Sequence, residues 1–117
     1  MKISKIKTHI IETTLSEPFH WAIGEAVKRG SCIVEVITDT GLVGWGECFG
    51  PARPASAMVD AYKPWVIGAD PLATDKIWHD LYASFRDQGQ KGVPICAISG
   101  IDIALWDIKG KYFDAPI

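Results

Sequence analysis

Cysteine is scarce and unorganised: Cys32, Cys48 and Cys96 are the only three. An odd number at wide spacing, without CxxC or CxxH company, excludes a disulfide framework or a zinc knuckle. Free thiols in a reducing cytoplasm are expected instead. Long apolar runs are missing too. No stretch approaches the roughly 18 consecutive apolar residues of a membrane span. The N-terminus alternates charged and apolar residues, so no signal peptide is expected. Nor is charge of one sign concentrated. Lys5, Lys7 and Lys28-Arg29 are scattered, the net charge is −2 and the pI is near 5.8. Neither nucleic acid nor a membrane is expected as a partner.

Clusters that carry chemistry are equally sparse. A Mg²⁺ site needs several converging oxygens, whereas the acidic residues here are dispersed. Asp102 and Asp107, on one helical stretch, point about 140° apart by helical geometry. No Ser/His/Asp or Cys/His arrangement can be assembled, and no glycine-rich loop is placed to cradle a phosphate. The expectation is a chain with no catalytic residue and no metal ligand of its own.

What is present is enough apolar material for one core. The 117 residues are 48% hydrophobic and 22% charged, which fits a single globular domain over residues 1–117. No internal repeat or low-complexity segment is visible. Lys2 to Thr14 is rich in β-branched residues, and its broken alternation predicts a strand with a bulge or twist. Leu15 to Gly30 holds Pro18 and two glycines and is expected to be a long loop. Ser31 to Asp39 predicts a strand with Cys32, Val34 and Val36 on one face. Asp39-Thr40-Gly41 is a turn, and Leu42 to Cys48 returns as a third strand. Gly44 and Gly46 leave one face of that strand bare, so another element should lie close against it.

Beyond Cys48 the period changes. Pro54 suits a helix start, and Pro64 should end or kink that helix. Thr74 is a plausible N-cap for a helix with Ile77, Trp78, Leu81, Tyr82 and Phe85 on one face. Arg86 to Gly92 is a polar loop. Val93 to Asp114 then reads as one long helix: Ile98, Ile101, Leu105, Ile108 and Tyr112 form a stripe. Ala97, Gly100, Ala104 and Gly110 allow close approach of neighbouring backbones. The fold class is therefore α+β: a three-stranded antiparallel meander followed by a three-helix bundle.

The run Ala97-Ile98-Ser99-Gly100-Ile101-Asp102-Ile103-Ala104-Leu105-Trp106-Asp107-Ile108-Lys109-Gly110-Lys111 closely resembles the last capping-domain helix of the mandelate racemase/muconate lactonizing branch of the enolase superfamily. Asp39-Thr40-Gly41-Leu42-Val43-Gly44-Trp45-Gly46-Glu47 resembles that family's second hairpin. Gly68-Ala69-Asp70-Pro71 ahead of Ile77-Trp78 also sits at a fitting position. The resemblance implies an enolase N-terminal domain-like cap over a (β/α) barrel that carries Mg²⁺. A barrel base would remove a proton α to a carboxylate, with the metal stabilising the enolate. It also implies a homo-oligomer. The chain ends at Ala115-Pro116-Ile117, where the family enters its barrel. The barrel, the Mg²⁺ ligands and the acid/base groups are therefore expected outside this chain.

In the family, two cap loops close over the barrel mouth and shape the substrate pocket. They map onto Pro18–Gly30 and Glu47–Arg53. The substrate-binding candidates are Phe19, His20 and Trp21 in the first, and Glu47, Cys48, Phe49 and Arg53 in the second. Arg53 offers a planar fork to a carboxylate, His20 a hydrogen bond to a sugar hydroxyl, and Phe19 and Trp21 apolar walls. The polar first loop favours a sugar-acid dehydratase, with racemisation or cycloisomerisation as alternatives. Two readings from other classes compete. One is a stand-alone oligomerising interaction module, burying the long helix's free face. The other is a small autonomous enzyme using His20 and a cysteine.

Overall fold

β-Branched residues recur through the first forty positions, and they help build the sheet. The computed structural model describes residues 1–117. Strands β1 (Ile3–Trp21), β2 (Gly24–Thr38) and β3 (Val43–Cys48) form one antiparallel sheet in the order β1-β2-β3. The register sets Ile6 against Val36, Thr8 against Val34, and Val34 against Gly46. Alternation therefore sends Ile6, Cys32, Val34, Val36 and Cys48 into the core, with Lys7, His9, Glu35 and Trp45 on the opposite face. There Glu35 accepts a 3.1 Å bond from Lys7 Nζ and lies 2.8 Å from His9 Nε2. Hydrogen bonding from His9, and then from Lys7, holds the Glu35 carboxyl below its usual range. The expected irregularity in β1 falls between Ile3 and Lys5.

The expected loop from Leu15 to Gly30 is instead mostly strand. β1 and β2 continue outward as a two-stranded arm that turns between Trp21 and Gly24. A second register irregularity, between Thr14 and Phe19, brackets Pro18. Proline has no N–H for the ladder, and the side-chain alternation breaks there. No residue from Thr14 to Arg29 is buried. The arm is a projection, not a part of the core.

Helix α1 (Ala52–Val66) starts two residues earlier than Pro54 suggests and runs two past Pro64. Both prolines are tolerated for local reasons. Pro54 lies in the first turn, where N–H groups have no helical partner. Pro64 removes one bond near the other end, and the next turn is closed by Ile67 N–H donating to Lys63 O at 3.0 Å. Helix α2 (Thr74–Ser84) is capped by Ala73, not Thr74. Thr74 is the first helical residue, buried, and its Oγ1 accepts from Lys109 Nζ at 3.3 Å. A turn of 3₁₀ helix at Arg86–Gln88 leads toward α3 (Val93–Phe113).

Helix α3 is the centre of the domain. Ile98, Ile101, Leu105 and Ile108 are fully buried, each contributing roughly 1.5–3 kcal/mol of apolar burial. Tyr112, expected on the same stripe, is half exposed and packs edge-on against Phe113. Against β3 the contact is backbone to backbone. A Cβ at Gly44 would collide with the Ala104 carbonyl oxygen, and one at Gly46 with that of Gly100. One at Gly100 would collide with Cys48 Sγ. The small residues of helix and strand face each other, as both patterns suggested. Asp107 Oδ2 secures the seam, accepting from Trp45 N–H at 2.9 Å and Lys111 Nζ at 2.6 Å.

Candidate functional site

The end of β3 and the start of α1 make one side of the site. After Cys48 the chain passes through Phe49, Gly50 (φ 97°) and Pro51 before the helix begins at Ala52. The positive φ at Gly50 reverses the backbone without a Cβ clash. The arm makes the other side, from its root at Glu12 out to Trp21 at its turn. Between them lies a groove of about 900 Å³. Glu12, Trp21, Lys28 and Arg29 line it from the hairpin, and Glu47, Phe49 and Arg53 from the turn.

Of the seven expected substrate-binding residues, Trp21, Glu47, Cys48, Phe49 and Arg53 border this groove, and Phe19 and His20 do not. Phe49 is 84% exposed, and Arg53 is bonded through Nη2 to Glu12 Oε2 at 3.0 Å. Glu47 Oε1 accepts from Ser31 Oγ at 2.6 Å. Trp21 lies over Gly24, where a Cβ would stand 2.8 Å from the indole ring. Phe19 sits nearer the root of the arm, opposite Ala26 and beneath Arg29, whose Cζ is 4.6 Å from the ring centroid. His20, beside the tip, has Nδ1 3.6 Å from Glu25 Oε2.

Cys48 is only 2% exposed, with its sulfur turned toward Gly100 and away from solvent. Burial, and then its neighbours Cys32 and Cys96, push the thiol up to about 12. A thiol that resists ionisation is neither a nucleophile nor a ligand for a polar substrate. Glu12 and Ser31 were not among the expected residues. The signal for them was the hairpin register, which sets Glu12 opposite Gly30 and Ile11 opposite Ser31. It is hidden while residues 15–30 are read as a loop.

Chemically the groove offers aromatic faces, the guanidiniums of Arg29 and Arg53, the Lys28 ammonium and two carboxylates already engaged with Arg53 and Ser31. It can hold a polar, hydroxylated, anionic molecule. It holds no activated nucleophile. No three His, Cys, Asp or Glu side chains gather to grip a metal ion, so no step can be derived through the implied Mg²⁺ with the residues of this chain. A second, apolar depression of about 580 Å³ is lined by Trp45, Ile103, Trp106 and Ile117 beside Asp107. No helix is long and apolar enough to cross a membrane.

A three-stranded antiparallel sheet under three helices, with its groove at the junction of arm and first helix, defines an enolase-type N-terminal capping domain. Residues 5–117 match the mandelate racemase / muconate lactonizing enzyme N-terminal domain, and the chain belongs to that family. It is 54% identical over 117 residues to D-galactarolactone cycloisomerase of Agrobacterium fabrum, covering all of this chain and 31% of that protein. The crystal structure of 3,6-anhydro-D-galactonate cycloisomerase from Zobellia galactanivorans matches with a TM-score of 0.85 at 35% identity, over 97% of this chain and 29% of that one. A racemase from Streptomyces coelicolor with bound magnesium gives a TM-score of 0.85 at 26% identity, over 92% and 32% of the respective chains. The chain thus spans less than a third of these relatives.

Proposed function

We propose that residues 1–117 form the substrate-enclosing cap of a larger Mg²⁺-dependent enzyme that cycloisomerises a sugar-acid lactone by abstracting a proton α to a carboxylate. The observation that carries this is the groove, where Trp21, Phe49 and Arg53 converge from two separate segments. The cap's work is to bind, orient and exclude water. Trp21 and Phe49 supply apolar walls. The guanidinium of Arg53 meets a carboxylate, and Glu47 with Ser31 meets hydroxyls. Proton transfer belongs to residues outside this chain.

Cycloisomerisation replaces dehydration as the preferred reaction because two relatives are named for cycloisomerases of galactose-derived acids. The apolar face of Trp45, Ile103, Trp106 and Ile117 is the seat for the barrel, since the relatives continue for more than twice this chain's length. The full-length product, assayed with D-galactarolactone, should give a ring-opened or isomerised acid without loss of water. Trp21→Ala and Arg53→Ala should raise KM with smaller effects on kcat. Release of water would return the reaction to dehydration. Unchanged kinetics in both variants would remove the groove from the active site.

A further inference from the structure

We infer that Glu12 is a positioning residue that holds the Arg53 guanidinium in place for the substrate's carboxylate. The inference rests on the reading of Arg53 given above and adds a residue to it. Glu12 Oε2 receives the Arg53 Nη2 bond at 3.0 Å, and no other carboxylate pairs with that guanidinium. One donor of the fork is thereby fixed, and four N–H groups stay available to a ligand. Without a partner, an arginine that is 72% exposed would sample many rotamers over the groove.

The sheet is shaped to allow this reach. Glu12 stands directly opposite Gly30. A Cβ on Gly30 would lie 3.3 Å from Glu12 Cγ and 3.5 Å from Ala52 Cβ. A side chain at Gly30 would crowd Glu12 by only a few tenths of an ångström, so the glycine gives the Glu12 side chain slightly more room beside α1. Both partners border the same groove, and they tie the root of the arm to the first turn of the helix.

The test is a double-mutant cycle in the full-length product, read as KM and kcat for D-galactarolactone. Glu12→Gln should raise KM about two- to fivefold, the factor an exposed ion pair supports, with kcat nearly unchanged. In the Arg53→Ala background the same change should do nothing further. If Arg53→Ala raises KM while Glu12→Gln does not, the positioning role fails and the groove reading stands. If Glu12→Gln raises KM equally with and without Arg53, Glu12 acts by another route and the inference also fails. If Arg53→Ala leaves KM unchanged, or D-galactarolactone is not turned over, the underlying reading falls and this inference falls with it.

Discussion

Gly46 and Gly100 meet backbone to backbone: a Cβ on Gly46 would overlap the carbonyl oxygen of Gly100. The obstacle is the rigid helix backbone, which cannot step aside as a side chain would. Gly46→Ala is therefore expected to destabilise residues 1–117 by about 3 kcal/mol, the upper part of the usual overpacking range. Gly41 provides the contrast, with open space around it and a φ of 87°. Gly41→Ala should cost only about 1–2 kcal/mol for its left-handed backbone. Urea denaturation of both variants measures the difference. Equal midpoints would mean that strand and helix are not packed this closely.

The same pair shows why much of the fold was legible. A strand written Gly44-Trp45-Gly46-Glu47 and a helix with Ala97, Gly100 and Ala104 each announce a close neighbour, and each is the other's neighbour. The buried stripe from Ile98 to Ile108 follows from period alone. The arm was not legible, because its strands pack against nothing and Pro18 interrupts their alternation. Pairing with a neighbouring strand decided its conformation, and pairing is not written in a single segment. The site suffered in turn. Trp21, Phe49 and Arg53 were visible as residue types, but Glu12 enters only through the register with Gly30.

Asp107 links α3 to β3 through the Trp45 N–H and the Lys111 ammonium. Asp107→Ala strands the Trp45 donor and should cost about 1.5–3 kcal/mol, as for other hydrogen bonds to charged groups. Lys111→Ala removes an exposed pair and one bond to Val43 O, and should cost about 1 kcal/mol or less. Thermal or urea unfolding of the two variants gives the order. A larger loss from Lys111→Ala would shift the anchor from the carboxylate to the ammonium.

The buried thiols carry a pH dependence of definite sign. Cys48 is pushed up to about 12 from an ordinary value of 9.0, and Cys32 is raised as well, in both cases mainly by burial. Well below pH 9 the folded and unfolded thiols are both protonated and contribute no slope. As pH approaches and passes 9 the unfolded chain loses protons that the folded chain keeps, so stability falls until the folded thiol ionises. Each such thiol contributes at most about 1.4 kcal/mol per pH unit. Comparing wild type with Cys48→Ala between pH 8 and pH 11 should show a shallower decline in the variant. A thiol reagent should label half-buried Cys96 alone in the native chain and all three cysteines in denaturant. Rapid native labelling of Cys48 would contradict its burial.

The arm is separable from the fold. No side chain from Thr14 to Arg29 is buried, so little apolar burial is lost if it is removed. Thr14 and Lys28 face each other across the ladder. That makes them natural ends for a two-residue Asn-Gly turn. Replacing Leu15–Val27 by Asn-Gly should move the stability of residues 1–117 by no more than about 1 kcal/mol, the scale of surface changes. In the larger enzyme proposed above, the same replacement removes Trp21 from the groove and should raise KM for the proposed substrate, D-galactarolactone, at least as much as Trp21→Ala does. Retained stability with impaired binding would assign the arm to substrate and not to the core. A collapse of the urea midpoint would show the opposite, that the outward strands hold the sheet together.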